Sequence, residues 1–350
     1  MKKLLLSAFV ICLAGTSIAQ ESPLWMRHCA LSPDGTTIAF TYKGDIYTVP
    51  STGGRATQIT TNPAFDTEPV WSPDSKQIAF ASDRMGSLDV FVVSSEGGAP
   101  QRLTTHSGSE KPVAYKDNKH ILFTANIAPS AEDVGFPSGQ FQQVYEVAVT
   151  GGRPAMFSSM PMECISINKE GVMLYQDKKG YEDYWRKHQV SPIARDIWTY
   201  TPGKTPVYQK QTTFGGEDRE PVWSPDGKSF YYLSEEKGSF NIFQRTPGAT
   251  TSQQITFHTK HPVRFLSIST TGTLCYGYDG EIYTLVPGKQ PQKVNISILA
   301  DKNDKDIIRQ IKSNGATDIA VSPKGKEVAF IMRGDAVSYT HLTLPTKLEV

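Results

Sequence analysis

Short runs of apolar residues alternate with polar turns along most of the chain. Residues 37–40 and 77–80 are two such runs, and each follows a turn that begins Ser-Pro-Asp. Ser-Pro-Asp-Gly suits a type I turn, because Ser accepts a backbone hydrogen bond, Pro presets φ at the next position and Gly tolerates the exit. Apolar runs on both sides of such a turn predict a β-hairpin.

The hairpin pattern recurs along the chain, and one copy is nearly duplicated. Residues 66–75 and 218–227 agree at eight of ten positions, and both contain Glu-Pro-Val-Trp-Ser-Pro-Asp. A polar, a β-branched and an aromatic residue follow each hairpin and predict a half-buried strand. A glycine turn and a short outer strand, such as residues 57–60 or 253–256, come next. One period is therefore four antiparallel strands, the unit of a β-propeller.

Six complete periods fit between residues 24 and 299. We therefore predict an all-β fold, a six-bladed β-propeller of four-stranded antiparallel blades. The blades are expected to pack around a ring, because a single blade cannot bury both of its faces. An up-and-down barrel is the alternative, but it gives no reason for a four-strand period with two types of turn.

The N-terminus does not follow the repeat. Residues 1–19 combine two lysines, an apolar core and small residues up to Ala19. This pattern predicts a secretory signal peptide, and hence an exported protein that is periplasmic or secreted. A membrane anchor is the alternative, but the apolar run is too short to span about 30 Å of hydrocarbon.

The C-terminal part breaks the rhythm and then resumes it. Residues 300–316 are charged and are interpreted as a linker. Residues 317–335 restart the repeat, either as a seventh blade or as the first hairpin of a second propeller, and the linker favours the second reading. Residues 336–350 resemble translated adapter sequence, so we interpret them as a non-native tail on a fragment of a longer protein.

Composition and motifs limit the chemistry of this chain. Its 350 residues carry 36 basic and 35 acidic side chains. The chain therefore lacks the basic excess that is typical of nucleic-acid-binding proteins. Cys29, Cys164 and Cys275 are far apart in sequence, which favours free thiols. No motif for nucleophilic catalysis, phosphate binding or metal binding occurs, and His258 and His261 lie in a predicted loop. We expect no cofactor, no metal and no catalytic residue here.

The candidate binding residues lie in loops that a propeller would bring to one face. Loops between the second and third strands and loops between blades emerge together, and insertions at residues 126–140 and 176–195 fall there. The second insertion is aromatic and basic, which suits a peptide or a neighbouring subunit. The candidates for substrate or partner contact are Tyr181, Tyr184, Trp185, Arg186, Asp66, Glu68, Asp218, Arg219 and Glu220. For the repeated Asp/Glu-Pro residues the alternative is structural, since they could cap strand ends and orient neighbouring blades.

The hairpins and the Asp–aliphatic–aromatic strands resemble TolB-like and Tricorn-like propeller repeats. Six blades followed by a restart resemble the N-terminal region of Tricorn-type serine peptidases, and residues 181–187 resemble an insertion of the bacterial members. TolB places an α/β domain before its propeller, for which residues 20–23 leave no room. Prolyl-oligopeptidase-type enzymes add an α/β-hydrolase domain, which this chain does not reach.

The resemblance implies a function for the parent protein. It implies the substrate-gating, peptide-binding propeller of an exported Tricorn-like serine endopeptidase, whose nucleophile lies in C-terminal domains absent from this chain. This chain is then not catalytic by itself. The full-length protein is expected to be a homo-oligomer that binds peptides or a protein partner, with no nucleic acid and no membrane span after signal cleavage. The alternatives are a TolB-like periplasmic scaffold and the propeller of a prolyl-oligopeptidase-type hydrolase.

Overall fold

Each predicted repeat forms one four-stranded antiparallel sheet, and six such sheets surround a common channel. This computed structural model describes residues 23–127, 141–180, 190–299 and 315–332 and the backbone of residues 335–339. The predicted all-β six-bladed propeller is confirmed. Across those described ranges, no helix is long and apolar enough to cross a bilayer.

Within each blade the strands are arranged in chain order, with the first strand innermost at the channel and the last strand outermost. Blades 1 to 3 comprise β1 (Arg27–Leu31), β2 (Thr37–Tyr42), β3 (Asp45–Pro50) and β5 (Thr57–Gln58); β6 (Asp66–Trp71), β7 (Gln77–Ser82), β8 (Asp89–Ser94) and β9 (Gln101–Arg102); and β10 (Lys111–Asp117), β11 (His120–Ala125), β12 (Gln143–Ala148) and β13 (Ala155–Ser158). The short strand β4 (Gly54–Arg55) precedes β5 in the chain but does not belong to the sheet of blade 1.

Blades 4 to 6 repeat the arrangement. They comprise β14 (Met162–Ile167), β15 (Met173–Asp177), β16 (Ile197–Thr201) and β17 (Val207–Lys210); β18 (Asp218–Trp223), β19 (Phe230–Ser234), β20 (Asn241–Arg245) and β21 (Gln253–Gln254); and β22 (Arg264–Ile268), β23 (Leu274–Tyr278), β24 (Glu281–Leu285) and β25 (Gln292–Lys293).

The outer strands are shorter than the sequence predicted. β5 ends at Gln58 and β21 at Gln254, two residues before the predicted ends. The next Thr leaves the ladder, because its hydroxyl accepts a hydrogen bond from a backbone N–H of the third strand. Thr60 Oγ1 accepts in this way from Ile46 at 2.9 Å. The same bond is made by Thr104, Thr212 and Thr256.

The repeated tryptophan joins neighbouring blades. The Trp71 indole N–H of blade 2 donates to the Ala30 carbonyl of blade 1 at 2.9 Å. The Trp223 indole of blade 5 donates to the Val172 carbonyl of blade 4 at 3.1 Å. Both rings are buried. The bond gives each buried indole N–H an acceptor, and a buried donor without a partner is costly.

The ring closes where blade 6 meets blade 1. Leu31 N–H donates to Ser267 Oγ at 3.0 Å, and Cys29 and Cys275 lie in one apolar cluster that both blades share. The chain then returns to the outside of blade 1, where β26 (Ile296–Ser297) pairs in parallel with β4. We call the β4–β26 pair the clasp. The clasp ties the end of the sixth repeat to the first.

A further sheet follows the ring. β27 (Ala316–Val321), β28 (Val328–Met332) and β29 (Asp335–Tyr339) form a three-stranded antiparallel sheet, so strand pairing resumes where the repeat was predicted to restart. β29 extends into the segment interpreted as a tail. β27 is exposed along its whole length, with Ile319 72% accessible. That this sheet begins a second propeller stays a prediction.

Candidate functional site

The innermost strands of all six blades line a central channel of about 1100 Å³. Its walls combine apolar and polar side chains. Val70, Ala114 and Val222 are among the apolar residues that line it. Half of the charged lining residues stand within the first three positions of the innermost strands, and the other half come from turns and loops. A channel of this size, lined by all six blades, is the candidate site for a ligand.

Two different kinds of loop mark the two faces of the ring. The inter-blade loops meet the loops between second and third strands, since Asp66 N–H donates to the Gly44 carbonyl at 2.7 Å. The Ser-Pro-Asp turns meet one another on the other face, where Thr270 N–H donates to the Pro33 carbonyl at 2.8 Å. This confirms the prediction that the inter-blade loops and the loops between second and third strands emerge together on one face. We call the first the loop face and the second the turn face.

Every innermost strand has a β-bulge near the loop face. In five blades a non-glycine residue of the bulge has a positive φ: His28, Glu68, Cys164, Glu220 and Phe265. The residue at the corresponding position of blade 3 is Pro112, whose ring does not allow a positive φ. All six residues line the channel. A bulge re-aims a side chain, and non-glycine residues with positive φ are often found at functional sites.

The charges at the loop-face end of the channel are paired. Glu68 of blade 2 and Lys111 of blade 3 are 2.6 Å apart. Glu163 of blade 4 lies 3.0 Å from the Arg195 Nε and 3.3 Å from the Lys178 Nζ. These contacts form a girdle of paired ions around the channel mouth, which we call the charged girdle.

Burial and neighbouring charges set the protonation states in the girdle. Burial opposes the ionisation of Glu68, but the Lys111 ammonium holds the pKa of that carboxyl below its usual value, and Glu68 in turn raises the pKa of Lys111. Burial lowers the pKa of His28 to about 4, so its ring is neutral at pH 7. Burial, followed by the charge of Glu220, raises the pKa of the Cys164 thiol. Cys164 is therefore a thiol rather than a reactive thiolate.

The structure separates the predicted contact residues into two groups. Glu68 and Glu220 line the channel, and Glu220 also joins blades, since its carboxylate accepts a hydrogen bond from Leu266 N–H at 2.8 Å. Asp66, Asp218 and Arg219 are at most 2% exposed and lie inside the blade junctions.

The buried members of the set make structural contacts. Asp66 accepts two hydrogen bonds from the Arg84 guanidinium, at 3.0 and 3.1 Å, and Arg219 Nε lies 2.7 Å from Glu217. These two contacts lie within blades 2 and 5, and the bond from Asp66 N–H to the Gly44 carbonyl is the one that crosses to the neighbouring blade. Tyr181, Tyr184, Trp185 and Arg186 lie outside the described residues, and a binding role for the whole set stays a prediction.

Three channel residues were not among the predicted contacts. His28 and Cys164 occupy the repeat position that holds Glu in the two duplicated segments, so aligning the repeats would have found them. Arg195 comes from the end of a long insertion and has no counterpart in the repeat. Its contact with Glu163 depends on the return path of that insertion.

The two closely spaced histidines take part in an aromatic cluster. His258 stacks on Tyr278 with ring centres 3.9 Å apart, and its Nε2 is 3.0 Å from the Tyr276 hydroxyl. His261 lies 3.2 Å from Asp279. In the part of the chain that the structure describes, no three His, Cys, Asp or Glu side chains are grouped as metal ligands.

A closed ring of six four-stranded blades around a charged channel defines the chain as a six-bladed β-propeller. A family model described as the Tricorn protease N-terminal beta propeller domain matches residues 23–291, and the chain belongs to this family. Tricorn protease homolog 1 of Streptomyces coelicolor is 23% identical over 326 residues, covering 90% of this chain and 29% of that protein. The chain thus spans less than a third of the length of this relative.

Solved structures show the same fold. The crystal structure of the tricorn protease superposes with a TM-score of 0.68 at 19% identity, covering 94% of this chain and 31% of that chain. TolB from Acinetobacter baumannii gives a TM-score of 0.54 at 14% identity, covering 78% of this chain and 66% of that chain.

Proposed function

We propose that this propeller admits and binds extended peptides for an exported Tricorn-like serine endopeptidase, whose catalytic residues lie in the rest of the protein. The observation that carries the proposal is the channel, which all six blades line and whose loop-face end bears the charged girdle. Family membership supports a place in a peptidase of this type.

The size of the channel suits an extended main chain. Its volume of about 1100 Å³ is close to the upper range of small-molecule pockets. A folded domain of about 100 residues has a radius of gyration near 13 Å, which corresponds to many times that volume. The channel therefore accepts a segment of unfolded chain and excludes a folded domain.

The charged girdle suits binding that tolerates many sequences. Glu68 and Glu163 each have a cationic partner, so these groups do not impose a single net charge on the mouth. Their oxygens and the Lys111 ammonium can still exchange hydrogen bonds with a peptide main chain, which carries one donor and one acceptor at most residues. Main-chain recognition of this kind does not depend on side-chain identity.

Blocking the channel tests this function. Cys164 lines the channel and is exposed there, so Cys164→Trp should obstruct it, whereas Cys164→Ser should leave it open. We expect the Trp variant to bind a fluorescent unstructured peptide about tenfold more weakly or worse, a change of about 1.4 kcal/mol. The Ser variant should bind as the original chain does. Fluorescence anisotropy measures binding.

The same samples show whether this chain is a peptidase. Mass spectrometry after incubation should find the peptide intact, because catalysis is assigned to domains outside this chain. Equal binding by the Trp and Ser variants, at matched unfolding midpoints, would refute passage through the channel. Hydrolysis that a serine-directed inhibitor abolishes would refute the assignment of catalysis to domains outside this chain.

A TolB-like scaffold that binds a protein partner is the second candidate. It is favoured by large apolar side chains exposed near the loop face, among which Trp25 is 72% and Phe257 73% accessible. Exposed apolar groups at one face are typical of protein-binding surfaces. The coding sequence that follows residue 335 in the intact gene separates the candidates. A serine peptidase domain there supports the peptidase, and a natural stop supports the scaffold.

A further inference from the structure

Two acidic residues, one from each neighbouring blade, are brought together at three of the six blade junctions. The first acid of each pair stands at the start of a third strand, and the second stands at the start of the innermost strand of the next blade. The pairs are Asp45 with Asp66, Asp89 with Glu110, and Asp196 with Asp218.

Backbone hydrogen bonds hold the members of each pair together. The N–H of the second acid donates to the carbonyl of the residue that directly precedes the first acid, so the two carboxyl groups are brought to the same site. These bonds run from Asp66 to Gly44 at 2.7 Å, from Glu110 to Leu88 at 2.7 Å and from Asp218 to Arg195 at 3.0 Å.

The carboxyl groups are buried and short of hydrogen-bond donors. Five of the six acids are at most 3% exposed, and Asp45 is half-buried. Among the described residues, one oxygen each of Glu110 and Asp196 has no hydrogen-bond donor. The Asp89 carboxylate is approached by the Arg102 guanidinium, and the Asp218 carboxylate by the hydroxyls of Ser234 and Thr212. Two ionised carboxylates in such a site repel each other, whereas a proton on one of them supplies the missing donor.

Each pair is also only partly balanced by cations. Arg84 lies 3.0 Å from Asp66, and Arg102 lies 2.9 Å from Asp89. Asp196 contacts Lys210 at 2.8 Å and also Lys179, which in turn is 3.5 Å from Asp177. Two carboxyl groups and one net positive charge leave one negative charge at each junction, which one bound proton would neutralise.

The direction of the pKa shifts agrees with this charge count. Burial, reinforced by Asp66, raises the pKa of Asp45 to about 7, against hydrogen bonds from Thr60 and Gln58 and the charge of Arg84. Burial likewise raises the pKa of Glu110 to about 7, against contacts with Thr104 and His106 N–H and with a further contribution from Asp89.

The third junction behaves in the same way. Burial raises the pKa of Asp218 to about 7, and Asp196 and Glu236 raise it further, while the hydroxyls of Ser234 and Thr212 lower it. Asp177, which faces Asp196, also has a raised pKa because of burial.

We propose that the folded ring holds one proton at each of these three junctions, shared within a carboxyl pair, and that releasing the protons destabilises the ring. The blade junctions are thereby a pH-sensitive device built into the repeat.

The sign of the effect follows from proton binding. Between about pH 4 and pH 7 the folded chain keeps protons that the unfolded chain has lost, so these groups make the free energy of unfolding decrease as pH rises through that window. Above about pH 7 the folded chain has released these protons, and the stabilisation that they provided is fully lost. The variant Asp45→Asn, Glu110→Gln, Asp218→Asn replaces each protonated carboxyl by a neutral amide and removes this dependence.

Urea unfolding of the intact chain at several pH values measures the effect. The ratio of the unfolding constant of the original chain to that of the triple variant should rise with pH, by up to about tenfold per pH unit for each junction. If the triple variant fails to fold, Asp218→Asn alone is compared with the original chain, and the ratio of their unfolding constants should rise by up to about tenfold per pH unit. Carboxylates elsewhere with lowered pKa values contribute equally to both chains and cancel in the ratio.

Asp226→Asn is the matched control, because Asp226 is an exposed turn residue whose pKa the Ser224 hydroxyl lowers. Its unfolding ratio should stay constant between pH 5 and pH 7. A ratio for the triple or single junction variant that is constant over the same range, or that falls with rising pH, overturns the proposal.

Discussion

Arg84→Met is expected to lower the free energy of unfolding by about 3–5 kcal/mol, as breaking a buried ion pair does when one charge is left behind. Arg84 binds both oxygens of Asp66, a carboxyl group with no exposed surface, and its guanidinium lies 4.5 Å from the centre of the Phe91 ring. Without the cation, the junction between blades 1 and 2 holds two facing acids. The loss should be smaller at pH 5 than at pH 8, because Asp45, whose pKa burial raises to about 7, then carries a proton and only one negative charge is left without the cation. Urea unfolding measures it.

The control lies at the same repeat position of blade 5. There Glu236 replaces Arg84 and raises the pKa of Asp218 rather than balancing its charge. Glu236→Met should therefore change the free energy of unfolding by less than about 1 kcal/mol, which is usual for surface substitutions. Equal losses in the two variants would show that the Asp66–Arg84 pair is not what holds its junction.

Gly53→Ala is expected to lower the free energy of unfolding by about 2–5 kcal/mol and to open the ring at the clasp. Gly53 has a φ of +92°, where a Cβ costs about 1–2 kcal/mol. The same Cβ would lie 2.7 Å from the Asn295 carbonyl oxygen, which belongs to the backbone just before β26. Overpacking of this kind adds about 1–3 kcal/mol and displaces the paired strand. Thermal or urea unfolding gives the total loss.

Gly97→Ala separates backbone strain from the clash. Gly97 occupies the same turn of blade 2 with a φ of +87°, and a Cβ there would have open space around it. It should show only the strain cost. If Gly53→Ala is no more destabilising than Gly97→Ala, the clasp does not contribute to ring closure.

The regular part of the fold could be predicted because each repeat contains the turn residues and apolar runs that specify its own strands. Ser-Pro-Asp turns fix the hairpins, and short apolar runs such as Ile78–Ala81 are bounded by polar residues, here Gln77 and Ser82. The duplicated tryptophans marked equivalent positions in two blades, although the sequence alone did not show that they bond to the preceding blade.

Features that depend on contacts distant in sequence could not be read from the pattern. The clasp joins Gly54 and Ile296, which are far apart in sequence. Because the two strands are parallel, no hairpin turn connects them and no local sequence signal predicts their pairing. The outer strands end early because the hydroxyl of Thr60 satisfies the Ile46 N–H, a competition between side chain and ladder that a strand pattern does not reveal.

The site was predictable only to the level of a face. Glu68 and Glu220 were expected in inter-blade loops, but they lie in the innermost strands β6 and β18, at the end near the loop face. The bulges that turn these residues into the channel arise from pairing irregularities within each blade. Asp66 and Asp218 begin the same two strands and are buried, although they were also expected in loops. Their contacts depend on the register of the second strand, which Arg84 follows in blade 2 and Ser234 ends in blade 5.

Labelling of Cys164 by a charged methanethiosulfonate reagent tests most directly whether peptides occupy the channel. Cys164 is the exposed thiol among the cysteines the structure describes, and Cys12→Ser removes the N-terminal one. The rate is compared at one pH, because labelling depends on the fraction of the thiol that is ionised. A saturating unstructured peptide should slow labelling about tenfold or more, and a folded protein of similar length should not. A rate that the peptide leaves unchanged, or that the folded protein slows equally, would contradict the account.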